Sequence, residues 1–187
     1  MRVGEDIRKH GSGNIGASNV WRSFGARYGL VVVALDVLKG LLPALGASLA
    51  KGALVAVLVG AAAMLGHWRP LFLGFRRGGK MVATCGGAAI GIAPLVAAVG
   101  LAVWALVFLA SRYASLASIM AAISLVVASV AFEQPRPVIV FTSAALVFIL
   151  WLHRANIKRL AGGNEHRFQL RRKREPAAGR RAHAQQN

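Results

Sequence analysis

The sequence predicts an all-α fold: a polytopic membrane bundle of six transmembrane helices whose polar loops gather on the cytoplasmic side. Three observations predict it. Of 187 residues, 56% are hydrophobic, yet the net charge is +17. A soluble globule cannot reconcile the two, whereas a membrane protein with basic cytoplasmic loops can. Runs such as GLVVVALDVLKGLLPALGASLA and VIVFTSAALVFILWL have no place in water, which excludes a soluble nucleic-acid binder. The basic residues also fall on one side of a six-span arrangement with a cytoplasmic N-terminus.

Taken in order, apolar stretches cover roughly 28–50, 53–75, 82–111, 114–132 and 138–153. About 20 helical residues cross a hydrocarbon core. The third stretch is too long for one span and contains Pro94, so it reads as two short helices meeting at a turn. With six spans and a cytoplasmic N-terminus, the inside segments are 1–27, 67–80, 111–115 and 154–187. They hold 20 of the 23 Lys and Arg residues, and only Lys51 and Arg136 lie in outside turns. Five spans would put the basic C-terminal segment outside, against the positive-inside bias. The first 27 residues have no apolar core, so no cleavable signal peptide is visible, and the single cysteine, Cys85, allows no internal disulfide. Residues 1–165 are expected to form the membrane domain. Residues 166–187 are expected to form a basic, disordered cytoplasmic tail held near anionic lipid rather than bound to nucleic acid.

Three segments are too polar and glycine-rich for plain connectors: IRKHGSGNIGASNVWRSFG, GHWRPLFLGFRRGGKMVAT and HRANIKRLAGGNE. All three face the cytoplasm in the six-span arrangement. In the first, Gly11, Gly13 and Gly16 let the backbone form an anion-binding nest. The loop feeds a helix near Asn19–Arg22, with hydrogen-bonding groups on Ser12, Asn14, Ser18 and Asn19, and Arg22 can clamp a phosphate. The alternative is an ordinary glycine-rich helix cap. In the second, two glycines precede Lys80 at the start of an apolar helix, without the Walker spacing that would imply ATP. His67, just before it, reads equally well as an interfacial histidine. In the third, His153, Asn156 and Arg159 recur every three residues and share a helix face. His153 suits a general base, a positioning residue or a snorkelling interfacial group. Asp36 and Lys39 lie within a membrane helix, Asp36 about 12 Å in from Tyr28. Their i, i+3 spacing lets them pair, which is how buried charges usually persist. No carboxylate, His or Cys set has metal-ligand spacing, so neither metal nor cofactor is expected.

Together the clusters resemble the bacterial acyl-phosphate:glycerol-3-phosphate acyltransferase family, PlsY type. DIRKHGSGNIGASNV with Arg22 and DVLKGLLP match its first motif, GHWRPLFLGFRRGGKMVAT its second and HRANIKRLAGGNE its third. The resemblance covers Asp6 to Glu165. It implies acyl transfer from acyl phosphate to the 1-hydroxyl of glycerol 3-phosphate, giving lysophosphatidic acid, in a monomeric, multi-pass protein of the bacterial plasma membrane. It implies that Ser12, His153 and Asn156 stand at the reacting groups. Gly13, Asn14, Gly16, Asn19, Arg22, Gly78, Gly79, Lys80, Thr84 and Arg159 would bind substrate, with Asp36, Lys39, His67 and Glu165 as structural support.

The chain departs from that family at four places. Ser18 stands where threonine is usual. FRRGGKMVAT has one residue more than the usual FKGGKGVAT, best placed at Arg76 or Arg77. Met81 replaces a glycine, and is expected to reshape the phosphate loop because it takes positive φ only at a cost. Family members also usually begin with a further membrane helix, giving seven. Met81 and the missing first helix motivate a second reading, a weakened paralogue that binds or regulates phospholipid precursors. A third reading, an anion transporter, calls for polar residues on both faces, whereas here they lie on one.

Overall fold

A computed structural model describes residues 5–168, and every regular element in them is helical. The helices are α1 (Ala17–Phe24), α2 (Ala26–Lys51), α3 (Ala53–Trp68), α4 (Val82–Ile92), α5 (Pro94–Ser111), α6 (Ala114–Ala131), α7 (Arg136–Leu152) and α8 (Arg154–Ala161). The boundaries follow local chemistry. Gly25 and Gly52 bracket α2 with φ of 100° and 78°, which glycine adopts without penalty. Pro94 opens α5, where its missing N–H would be unpaired in any case. The expected break of the third apolar stretch is therefore present, at Ala93.

Four helical segments among the described residues are long and apolar enough to cross a bilayer. They are α2, α3 continued by the turn at Leu71–Leu73, α5 and α6; α7 and α8, bent by 62° at His153, make a fifth if taken as one span. α2 is about 39 Å long, more than a hydrocarbon core, whereas the 11 residues of α4 reach only about 16 Å. Leucines such as Leu42, Leu49, Leu101 and Leu109 point outward along these helices. Such a surface is stable only in lipid.

The interior is built from small residues rather than large ones, as helix packing in lipid favours. α2 packs most extensively on α4. A Cβ at Gly40 would overlap the Thr84 carbonyl, and one at Gly87 would overlap the Val37 carbonyl, so the two backbones meet where side chains are absent. Met64, Met81, Val96, Phe141, Ile149 and Leu152 fill the remaining core.

Long-range contacts collect the loops at one end of the bundle. Lys80 reaches Asn156, Ser115 reaches Glu165, and the Phe168 N–H donates to the Arg112 carbonyl. The start of α4, the α5–α6 turn and the end of α7 therefore share a face, so α4 and α5 form a hairpin that returns to where it began. Phe168 packs edge-on against both Trp21 and Phe108, and the Arg167 guanidinium lies over the Tyr113 ring. The packed chain thus runs three residues past the boundary expected at Glu165, because an aromatic anchor follows it. The rest of the expected tail lies outside the described residues.

Candidate active site

The first loop is organised by one buried side chain. The Asn19 amide nitrogen donates to the carbonyls of His10 (2.9 Å) and Asn14 (2.8 Å), and its oxygen accepts the Ser12 N–H (3.0 Å). Gly11 and Gly13 turn the backbone at φ 55° and 67°, and Asn14 Oδ1 accepts the Gly16 N–H at the entry to α1. Asn19 is spent on this scaffold, which leaves the Ser12 side chain exposed at the loop surface. Arg22, one turn further along α1, lies close enough to Glu165 and Arg159 to interact with their charges.

The second loop is packed from behind. The Gly78 N–H donates to the Trp68 carbonyl (2.8 Å) and the Gly79 N–H to the His67 carbonyl (3.1 Å). Both glycines are buried, and a Cβ at Gly79 would run into the His67 ring. Their lack of side chains therefore makes room for the end of α3, and their amides are engaged within the protein. Thr84 is fully buried in the α2–α4 interface, away from solvent, and its hydroxyl has no partner among the described residues. Met81 adopts the left-handed conformation, at φ 67° and ψ −6°. Its side chain is buried in the core, which offsets the backbone cost.

Lys80 leaves this loop toward α8. Its Nζ donates to Asn156 Oδ1 (2.6 Å), and Asn156 Nδ2 donates to Glu165 Oε1 (2.6 Å). Glu165 Oε1 also accepts from Ser115 Oγ (2.8 Å), and Oε2 accepts from Arg159 Nε (2.7 Å). Asn156 and Arg159 thus use the shared face that their spacing implies. Burial pushes Glu165 up, but the hydrogen bonds from Asn156, Ser115 and Arg159 outweigh it and hold the carboxyl below its ordinary range. Burial pushes the Lys80 ammonium down to about 8; Glu165 opposes that shift, while Arg159, Arg77 and Arg22 add repulsion.

His153 is buried at the α7–α8 bend, with Nδ1 2.8 Å from the Ile149 carbonyl. A carbonyl only accepts, so Nδ1 carries the hydrogen and the neutral ring presents a lone pair at Nε2. At the membrane side of the second loop, Lys39 Nζ sits 2.5 Å from Asp36 Oδ1 and 2.6 Å from His67 Nδ1. The pair expected on α2 exists, joined by a histidine from α3.

Lys80, Arg22, Arg159, Asn156 and Glu165 are thereby brought together from all three clusters, and Asp36, Lys39 and His67 form a second group behind Gly79. Two participants carry no strong sequence signal. Ser115 is one serine among several in an apolar helix, and Arg77 is one arginine in a basic run.

Comparison with known proteins identifies the family. The family model described as glycerol-3-phosphate acyltransferase matches residues 1–163. The chain is 46% identical over 171 residues to a glycerol-3-phosphate acyltransferase of Roseiflexus sp. (strain RS-1), covering 89% of this chain and 84% of that one. It is 44% identical over 167 residues to that of Aquifex aeolicus (strain VF5), covering 88% and 86%. Its fold is similar to the crystal structure of PlsY (YgiH), an integral membrane glycerol 3-phosphate acyltransferase, in the glycerol 3-phosphate form. That likeness has a TM-score of 0.85 at 44% identity, over 89% of this chain and 84% of the other. The lysophosphatidic acid form of PlsY gives a TM-score of 0.80. Sequence, fold and clustered motifs agree: this chain is an integral membrane protein of the glycerol-3-phosphate acyltransferase family.

Proposed function

We propose that the chain transfers an acyl group from an acyl phosphate to the 1-hydroxyl of glycerol 3-phosphate, forming lysophosphatidic acid and releasing inorganic phosphate. The observation that carries this reading is the meeting of Lys80, Arg22, Arg77 and Arg159 beside Asn156 and Glu165 at the end of an apolar bundle. Two phosphates need cations, and an acyl chain needs lipid. The names of the relatives and the ligand forms of the solved neighbour support the same acceptor and product. The site lies on the cytoplasmic side of a bacterial plasma membrane, in a protein with six membrane segments if α4 and α5 count as two. Every residue assigned to the site comes from this one chain, which supports a monomer as the working unit.

The reaction asks little of acids and bases. Acyl phosphate is a mixed anhydride with a good leaving group. The acceptor oxygen bonds to the acyl carbon, and the bond from that carbon to the phosphate oxygen breaks with its electron pair left on phosphate. The hydroxyl proton passes to a substrate phosphate oxygen. The protein's task is then to hold the two phosphates and offset their charge, which suits Lys80 and Arg22. Asn156 orients Lys80, and Glu165 orients Asn156.

The test is lysophosphatidate formation by the reconstituted protein supplied with palmitoyl phosphate and glycerol 3-phosphate, with Lys80→Ala and Arg22→Ala as controls. Product no higher than in the controls would overturn the reading. His153→Ala addresses the proton: retained turnover supports transfer to phosphate. Loss of turnover together with a bell-shaped pH profile assigns the proton to His153 Nε2 instead.

A further inference from the structure

We propose that Asp36, Lys39 and His67 act as a positioning relay. They fix the backbone of Gly78–Lys80 from within the membrane, and so set the affinity for the acceptor's phosphate without contacting either substrate. The inference rests on the acyltransferase reading for its substrate and on geometry for everything else. Lys39 is an ammonium and only donates, so His67 Nδ1 accepts from it and the His67 hydrogen sits on Nε2. That ring face lies against Gly79, where no Cβ fits. The His67 and Trp68 carbonyls accept the Gly79 and Gly78 N–H groups. Asp36, buried on α2, holds Lys39 in place. Next to Lys39, Gly40 presses directly on the backbone of Thr84 in α4, the helix that Lys80 introduces. The chain of contacts therefore runs from α2 through the end of α3 to the two residues before Lys80. An ionic pair within a membrane helix is costly to maintain, and this one is spent on the one loop that carries the site's most buried cation.

Asp36, Lys39 and His67 also all border a cavity of about 420 Å³ between α2 and α3, lined further by Ile15, Leu35 and Phe72. Direct contact with an acyl donor there is the competing role, and it has a different kinetic signature.

The experiment uses the full chain in lipid nanodiscs, with three variants. Asp36→Asn/Lys39→Met removes both charges together, so no lone charge is buried. His67→Asn keeps an acceptor near Nδ1, whereas His67→Leu does not. Hydrogen–deuterium exchange over Gly78–Lys80 is read without any substrate. The expected result is faster exchange confined to that segment in Asp36→Asn/Lys39→Met and His67→Leu, with His67→Asn closer to the parent. In turnover, the KM for glycerol 3-phosphate rises by about 10-fold to 100-fold, while the KM for acyl phosphate stays within about twofold. Unchanged exchange in that segment overturns the relay, as does a rise in the acyl phosphate KM alone. Global loss of protection in the double variant with a normal segment in His67→Leu also overturns it, since the group would then be a general strut. A parent protein with no transfer to glycerol 3-phosphate removes the functional reading and leaves the exchange result to decide the relay.

Discussion

Lys80 is a cation placed where its charge is easily lost, and that has a kinetic consequence. Its ammonium is held below about pH 8 and is lost above it, because burial and the neighbouring arginines oppose the charge more than Glu165 supports it. If the charged form binds phosphate, kcat/KM for the acceptor falls as pH rises through about 8. Lys80→Arg keeps a cation that does not titrate, so it removes that alkaline limb. Lys80→Ala lowers kcat/KM by roughly 100-fold to 1000-fold below about pH 8, the usual effect of losing one such stabilising group, and the gap from the parent narrows as pH rises past it. A pH–rate profile of the three proteins checks this, and an alkaline limb that persists in Lys80→Arg refutes it. Met81, the adjacent residue, sets two effects against each other. Its left-handed backbone costs about 1–2 kcal/mol for a residue other than glycine. Deleting its buried side chain costs about 2–5 kcal/mol. Packing is the larger effect, so Met81→Gly restores the family's residue and still lowers unfolding stability, measurable as a reduced melting temperature in detergent. A stabilised Met81→Gly protein would mean that strain dominates.

At the scale of elements, α8 and the segment after it make a strap across the site end of the bundle. Glu165 is its knot, bonded to Ser115 on α6 and to Asn156 and Arg159 on α8. Glu165→Gln keeps the shape but puts an amide donor against the Arg159 guanidinium or turns it on Ser115 and Asn156. The expected loss is about 1.5–3 kcal/mol, the range for a hydrogen bond to a charged group. The sign of the pH dependence follows from the lowered carboxyl. Its stabilisation is fully present above the unfolded carboxylate range and fades as pH falls through the lower folded value. The melting temperatures of Glu165→Gln and the parent should therefore converge on acidification, and a constant gap would exclude this origin. How far this element could be read in advance depended on distance along the chain. The face shared by Asn156 and Arg159 and the Asp36–Lys39 pair both follow from helical periodicity alone. His67 joining that pair requires the packing of α3 on α2, and Ser115 joining Glu165 requires the return of the α4–α5 hairpin. The glycines of the second loop were legible as residues but not in purpose. A missing Cβ makes room equally for a ligand and for a histidine ring, and only the fold says which.

For the whole molecule, even numbers matter more than the count of full spans. α4 is too short to cross a hydrocarbon core unaided, yet α4 and α5 return to the same end, so the three polar clusters meet whether that hairpin crosses or dips. The opposite end holds the α2–α3 turn at Lys51 and Gly52, the Ala93 break and the α6–α7 turn. Among the described residues, only Lys51 and Arg136 put basic charge at that opposite end, the asymmetry expected to turn the site end to the cytoplasm. Substituted cysteines test this directly, because the native Cys85 is buried and does not compete for a membrane-impermeant maleimide. Arg76→Cys, exposed on the second loop, should label in inside-out vesicles and not in spheroplasts. Lys51→Cys, exposed at the far turn, should do the reverse. Opposite labelling would place the site outside the cell. Labelling of both on one side would mean that α2 or the α2–α3 turn does not traverse the membrane. The expected pattern is the one the proposed water-soluble phosphate acceptor requires, since it would reach Lys80 from the compartment that makes it.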